Sequence, residues 1–162
     1  MLKNFATITF LILLSFASNA EDIKPTGLPL PRFASLASKE ANVRTGPGKR
    51  YPIKWVLVRK NIPLEITEEY EHWRKVRDIQ GDEGWIHKSQ LSGKRTAIIK
   101  NNNSKLYSSE SAESSVKAVL QNGVVVEIDT CKQGFCNVEA SDVSGYIETP
   151  NIWGVYFGED VK

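Results

Sequence analysis

A length of 162 residues with two histidines, two cysteines and a net charge of +2 leaves few groups for metal or nucleophile chemistry. After residue 20, no apolar run approaches the roughly 20 residues that a membrane span requires. The small total hides an asymmetry: residues 33–100 hold 14 Lys and Arg against 8 Asp and Glu, a net +6, and residues 101–162 hold 4 against 9, a net −5. A basic half followed by an acidic half suggests two units that attract each other or face different partners.

In chain order, Met1-Leu2-Lys3-Asn4 carries one basic side chain, and an apolar run from Phe5 to Leu14 follows. Ser18-Asn19-Ala20 then puts small residues before Glu21. This is the layout of a secretory signal peptide cleaved after Ala20. Neither cysteine lies near it, so no lipoprotein box is present. The mature chain is expected in the periplasm or secreted, with no membrane span. Residues 21–32 contain Pro25, Pro29 and Pro31 and read as an extended Pro-rich linker.

From Phe33 onward no long segment has a helical period, and short β-rich runs alternate with turn residues. Phe33 to Ala37 is the first run, and Val43 leads into the turn Gly46-Pro47-Gly48. Trp55–Val58, Leu64–Thr67 and His72–Arg77 follow. The turn Gln80–Gly84 precedes Trp85–His87, and Thr96–Ile99 closes the set. Such spacing predicts an all-β chain of small barrels or sandwiches. Strand parity predicts that Trp85 and Ile86 face apart, as do Trp73 and Val76.

The second half repeats the first. Val43 aligns with Leu106, Trp73 with Phe135, Val76 with Val138, and Gly84-Trp85-Ile86 with Gly145-Tyr146-Ile147. Leu91-Ser92-Gly93 falls on Ile152-Trp153-Gly154. Two units of about 60 residues are a duplication rather than a solenoid. The expected division is domain one at 33–99, a short linker at 100–103, and domain two at 104–162. Cys131 and Cys136 form a close pair, which in an oxidising compartment reads as a disulfide. They are expected to flank a loop equivalent to the Gly81–Gly84 hairpin. Lacking cysteines, the first unit is expected to fill its core with its three tryptophans.

Ala41-Asn42-Val43-Arg44-Thr45-Gly46-Pro47-Gly48 resembles the opening signature of bacterial SH3-like (SH3b) domains. Trp73-Arg74-Lys75-Val76 followed by Gly84-Trp85-Ile86 is similar to that family's later strands. The likeness covers roughly residues 33–99. The second half departs from it, because Tyr107-Ser108-Ser109-Glu110 stands where Arg44-Thr45-Gly46-Pro47 would be. It reads as a divergent copy with a different first-loop surface. The resemblance implies two tandem SH3-like β-barrels, and peptidoglycan or its stem peptides as the ligand.

The residues themselves offer little catalytic material. His72 and His87 read as surface or half-buried histidines. Glu68, Glu69 and Glu71 beside Tyr70 read as a solvated loop rather than a glycosidase pair. There is no phosphate-binding glycine loop, zinc spacing or nucleophile elbow, so no catalytic residue, cofactor or metal is expected. Binding is better supported, since Arg44, Lys49, Arg50, Lys54, Arg59 and Lys60 interleave with Tyr51 and Trp55. Arg44, Tyr51, Trp73 and Trp85 are the candidate ligand-binding residues: a guanidinium for a carboxylate, and aromatics for stacking. Export argues against nucleic acid. A protein–protein adaptor is the alternative function, and a cell-wall hydrolase the remote one.

Overall fold

The structure, a computed structural model, describes residues 26–162. The expected signal peptide, its cleavage after Ala20, and residues 21–25 of the Pro-rich segment lie outside them. The first seven strands are β1 (Arg32–Leu36), β2 (Ala41–Arg44), β3 (Ile53–Leu57), β4 (Pro63–Tyr70), β5 (Trp73–Arg77), β6 (Glu83–His87) and β7 (Leu91–Ser92). They form one sheet in the order β3-β2-β6-β5-β4-β1-β7. The next seven are β8 (Thr96–Ile99), β9 (Ser104–Tyr107), β10 (Val116–Leu120), β11 (Val125–Lys132), β12 (Phe135–Ala140), β13 (Val143–Glu148) and β14 (Ile152–Trp153). Their order, β10-β9-β13-β12-β11-β8-β14, is the same topology repeated. In each copy a 3-10 turn, Lys88–Gln90 or Thr149–Asn151, precedes the last strand. The chain is therefore all-β and built as two tandem small barrels.

The boundary between them differs from the one expected. Thr96–Ile99 pairs with β11 and β14, so it opens the second barrel instead of closing the first. Residues 100–103 form the turn between β8 and β9, where Asn102 Oδ1 accepts from the Asn122 amide at 3.1 Å. The true connector is Gly93-Lys94-Arg95. The period-2 pattern marks a strand but not its sheet, which explains the misplacement. The Pro-rich segment is likewise no free linker from Thr26 onward. Thr26 hydrogen-bonds Glu69, Leu30 packs against the first core, and Arg32 already belongs to β1.

Alternation sets the cores. In β6, Gly84 and Ile86 point inward while Trp85 and His87 face out. In β5, Arg74 and Val76 point inward and Trp73 faces out. The first core is aliphatic, built on Leu36, Leu64, Ile66, Val76 and Ile86, and the second on Ile99, Leu106, Val126, Val138 and Ile147. Fully burying each such side chain stabilises by about 1.5–3 kcal/mol. Contrary to expectation, the tryptophans do not fill the first core. Trp55, Trp73 and Trp85 are all half-buried on its outside, because strand alternation turns Trp73 and Trp85 to the face opposite the inward-pointing Val76 and Ile86.

A β-bulge interrupts β4 after Ile66, and another interrupts β11 after Ile128. One extra residue reverses the alternation beyond it. Glu69 is thereby turned inward opposite Arg74, and Cys131 inward opposite Cys136. The cysteines are disulfide-bonded, as expected. The turn they flank, Gln133-Gly134, is the counterpart of Glu71-His72 and not of the Gly81 loop, whose counterpart is Ser141-Asp142. Gln133 and Gly134 both have positive φ, 49° and 85°, which suits a two-residue hairpin.

The two barrels touch. Phe33 of β1 meets the Trp153 ring edge-on at 5.0 Å and the Tyr156 ring at 4.8 Å. Tyr156 Oη donates to Glu65 Oε1 at 2.8 Å. Arg95 of the connector pairs with Glu159 at 2.7 Å, and Arg59 donates to the Gly123 carbonyl at 2.8 Å.

Candidate functional site

The loop after β2 is closed by its own sequence. Arg44 Nη1 donates to the Tyr51 carbonyl at 2.8 Å and the Lys49 carbonyl at 3.2 Å. Thr45 N donates to the Pro52 carbonyl at 3.0 Å. The Tyr51 ring lies on Gly46, where a Cβ would come within 2.5 Å of the ring. The Gly-Pro-Gly signature thus has a packing reason: the loop closes because nothing stands between the glycine and the ring. Gly84 has a similar role, since a Cβ there would lie 2.4 Å from Val43 Cγ1.

Beside this loop is a cleft of about 470 Å³, lined by Glu40, Ala41, Asn42, Arg44, Lys49, Trp73, His87, Ser89 and Gln90. The Trp73 and His87 rings meet edge-to-face at 5.4 Å. Ser89 Oγ lies 2.8 Å and Ser89 N 3.3 Å from His87 Nδ1, contacts that suit a neutral ring protonated on Nε2. Burial, then the nearby His72, Lys49, Lys88 and Arg74, pushes the His87 imidazole below its usual range. It is therefore neutral at pH 7 and offers a hydrogen-bond donor on an aromatic plate.

Of the four candidate residues, Arg44 and Trp73 line this cleft, and Tyr51 and Trp85 do not. Tyr51 acts through its carbonyl, which holds Arg44, and its ring stays in the loop. Trp85 sits on the outer face opposite Arg44 and Lys75. Arg50 stacks over Tyr51 at 5.2 Å, and Lys54 over Trp55 at 4.9 Å. Sequence reading placed Lys49 in the basic-aromatic stretch but did not assign His87, Asn42 or Ser89 to a site. For His87 the sequence offered only an outward parity shared with Trp85, which does not itself line the cleft.

The glutamate cluster also differs from expectation. Glu68 is exposed and pairs with Lys75 at 2.7 Å. The Glu69 side chain, by contrast, is fully buried between Arg32 and Arg74, the latter at 3.0 Å. Burial works to raise the Glu69 carboxyl, but hydrogen bonds from Arg32 and Thr26 outweigh it and hold it below its ordinary range.

The second barrel has a reduced counterpart of the cleft, about 190 Å³, bordered by Asn103, Ser104, Lys105, Tyr107, Glu148 and Asn151. Tyr107 replaces Arg44, is buried, and packs edge-on to Phe135 at 6.4 Å. Glu148 replaces His87. The loop backbone survives in full: Ser108 N donates to the Ser115 carbonyl at 2.9 Å, as Thr45 does to Pro52. The fold was copied, and the basic-aromatic surface was not.

The family model for the bacterial SH3 domain matches residues 37–93 and again 100–154, and the chain belongs to that family in two tandem copies. A comparison with the curated proteins gave no match. Among solved structures it is similar to NlpC2 from Trichomonas vaginalis, with 16% identity and a TM-score of 0.36, over 76% of this chain and 48% of that one. It is also similar to NlpC1 from the same organism, with 15% identity and a TM-score of 0.37, over 78% and 46%. The chain spans about half the length of either.

Proposed function

We propose that this chain is an exported, non-catalytic binding module of the bacterial envelope, and that its first-barrel cleft holds peptidoglycan or its stem peptides. The observation that carries the reading is the pairing of Arg44 and Lys49 with the Trp73–His87 plate in one cleft. Cations meet carboxylates, and flat rings meet the apolar faces of sugars. The second barrel's smaller counterpart, with Lys105 as its one cation, favours the first barrel as the contact. Signal-peptide export to the periplasm or outside supplies the compartment.

No catalytic residue is assigned. Both cysteines are tied up in the disulfide. Trp73→Ala removes the plate from an outer-face position and should reduce retention on purified peptidoglycan at least tenfold while leaving the fold intact. Retention equal to that of the parent would sink this site.

A peptide adaptor is the second reading. The edge strands β3 and β10 carry exposed Ile53, Val56, Val116 and Val119, an arrangement open to strand addition. Oligomers or peptide complexes on sizing chromatography, with no wall binding, would favour it.

A further inference from the structure

Strand β3 and the residue after it carry three exposed aliphatic side chains, Ile53, Val56 and Val58, the last 76% exposed. Leu57 packs against the first core, and Val56 and Val58 on either side of it face out. Val56 lies opposite the exposed Asn42, and Ile53 opposite Arg44, so these aliphatics share the outer face of the β2–β3 hairpin. Residues 41–62 hold six cations, Arg44, Lys49, Arg50, Lys54, Arg59 and Lys60, and no acidic residue. None of the six forms a salt bridge among the described residues. Lys54 and Arg59 donate to neutral carbonyls, those of Glu83 and Gly123, which leave the charge uncompensated. Residues 1–25 hold two acids, Glu21 and Asp22, beside two lysines, too few to offset six cations. Thr26 is held on Glu69, at the opposite end of β4 from Lys60.

The second barrel separates the two ingredients. Its strand β10 has the same exposure pattern, with Val116 and Val119 exposed and Leu120 against the core. Residues 104–123, however, hold two lysines and two glutamates, a net charge of zero. The aliphatic strip is thus present in both copies, and the surplus charge in one. An aliphatic strip among uncompensated cations fits an anionic lipid surface. The cations meet the headgroup phosphates while the apolar side chains enter the boundary with the acyl chains, and lasting attachment takes both signals. A second copy of β3 fits poorly there, because the two basic faces would repel each other.

We propose that the outer face of β3 docks the first barrel on an anionic membrane surface. Ile53, Val56 and Val58 enter the lipid interface, and Lys54, Arg59 and Lys60 meet the headgroups. The contact does not depend on wall binding by the Arg44–Trp73 cleft.

The test is co-sedimentation of the chain from Glu21, which keeps every described residue, with two kinds of vesicle. One is phosphatidylcholine alone, and the other is equal parts phosphatidylcholine and phosphatidylglycerol. The anionic vesicles should bind the chain at least about tenfold more tightly, since each Lys or Arg at such a surface contributes about a fivefold gain. Val58→Ser combined with Lys60→Ser changes two exposed positions. It should weaken binding to the anionic vesicles about tenfold and leave retention on peptidoglycan as in its parent. Lys60→Glu alone should weaken vesicle binding in the same direction. Val119→Ser, at the position in β10 that matches Val56, should leave it as it was. No binding to the anionic vesicles, equal binding to both kinds, or a Val58→Ser/Lys60→Ser chain that binds like its parent would each overturn the proposal. So would self-association without vesicle capture that the same variant abolishes, because a second copy would then occupy the face.

Discussion

Glu69–Arg74 and Cys131–Cys136 occupy the same inward-facing, cross-strand place in the two barrels. One barrel ties the β-hairpin with an ion cluster and the other with a covalent bond. Removing one partner of a buried charge pair typically costs about 3–5 kcal/mol, because the remaining charge is stranded. Glu69→Gln should therefore lower stability by that order in urea unfolding. The cluster should also be pH-dependent. The folded-state pKa of Glu69 lies below its ordinary value, so its contribution is full above the ordinary carboxylate range and disappears as pH falls through the depressed value. The groups facing it are Arg32 from β1, Arg74 from β5 and the Thr26 hydroxyl and amide. As pH falls from the ordinary carboxylate value of about 4 through the depressed one, parent and Glu69→Gln stabilities should converge. A difference that persists undiminished into strong acid would show that the carboxylate's charge is not what matters. None of this was legible in Glu68-Glu69-Tyr70-Glu71 as a string, because a bulge two residues earlier decides which carboxylate turns inward.

At the scale of elements, two kinds of glycine separate. Gly84 and Gly145 open their strands to a neighbour, Val43 in one barrel and the Tyr107 carbonyl with Leu106 in the other, each closer than 3 Å to an added Cβ. Gly84→Ala and Gly145→Ala should each cost about 1–3 kcal/mol through forced repacking, whereas Gly93→Ala should be nearly neutral. Equal effects at all three, measured by thermal melting, would contradict the packing account. The disulfide acts at this scale too. Both its cysteines are buried beneath the Val161 segment, and closing so short a loop contributes about 2 kcal/mol in the chain-entropy model. Reduction should speed hydrogen exchange in β11 and β12 while leaving β4 and β5 nearly unchanged. The strands, the duplication and the cysteine pairing were readable from alternation, turn residues and spacing. The sheet to which Thr96–Ile99 belongs was not, because membership depends on long-range hydrogen bonds that leave no local trace. Trp73 and Arg44 were found through the family signature, but His87 needed the third dimension to bring β5 and β6 side by side.

For the whole molecule, the charge asymmetry is only partly used within the chain. The connector's Lys94 and Arg95 pair with Glu127 and Glu159 of the acidic half, at 2.6 and 2.7 Å. The barrels also share the Phe33–Trp153–Tyr156 aromatic contact. Burial, and then the Glu65 carboxylate, pushes the Tyr156 hydroxyl well above its ordinary pKa, so it remains a donor at any physiological pH. Tyr156→Phe combined with Arg95→Ala should uncouple the barrels, turning one calorimetric unfolding transition into two. A single unchanged transition would mean that these contacts do not couple them. The basic loop residues Lys49 and Arg50, by contrast, remain exposed on the first barrel, where an anionic partner can reach them.

The most direct test of the central claim is co-sedimentation of the chain with insoluble peptidoglycan across a salt series. The Arg44–Trp73–His87 cleft combines charge with a shaped aromatic wall, so saturable binding should persist at moderate salt and be lost in Trp73→Ala. Binding that vanishes with modest salt would be unspecific charge attraction, and would contradict a wall-binding cleft.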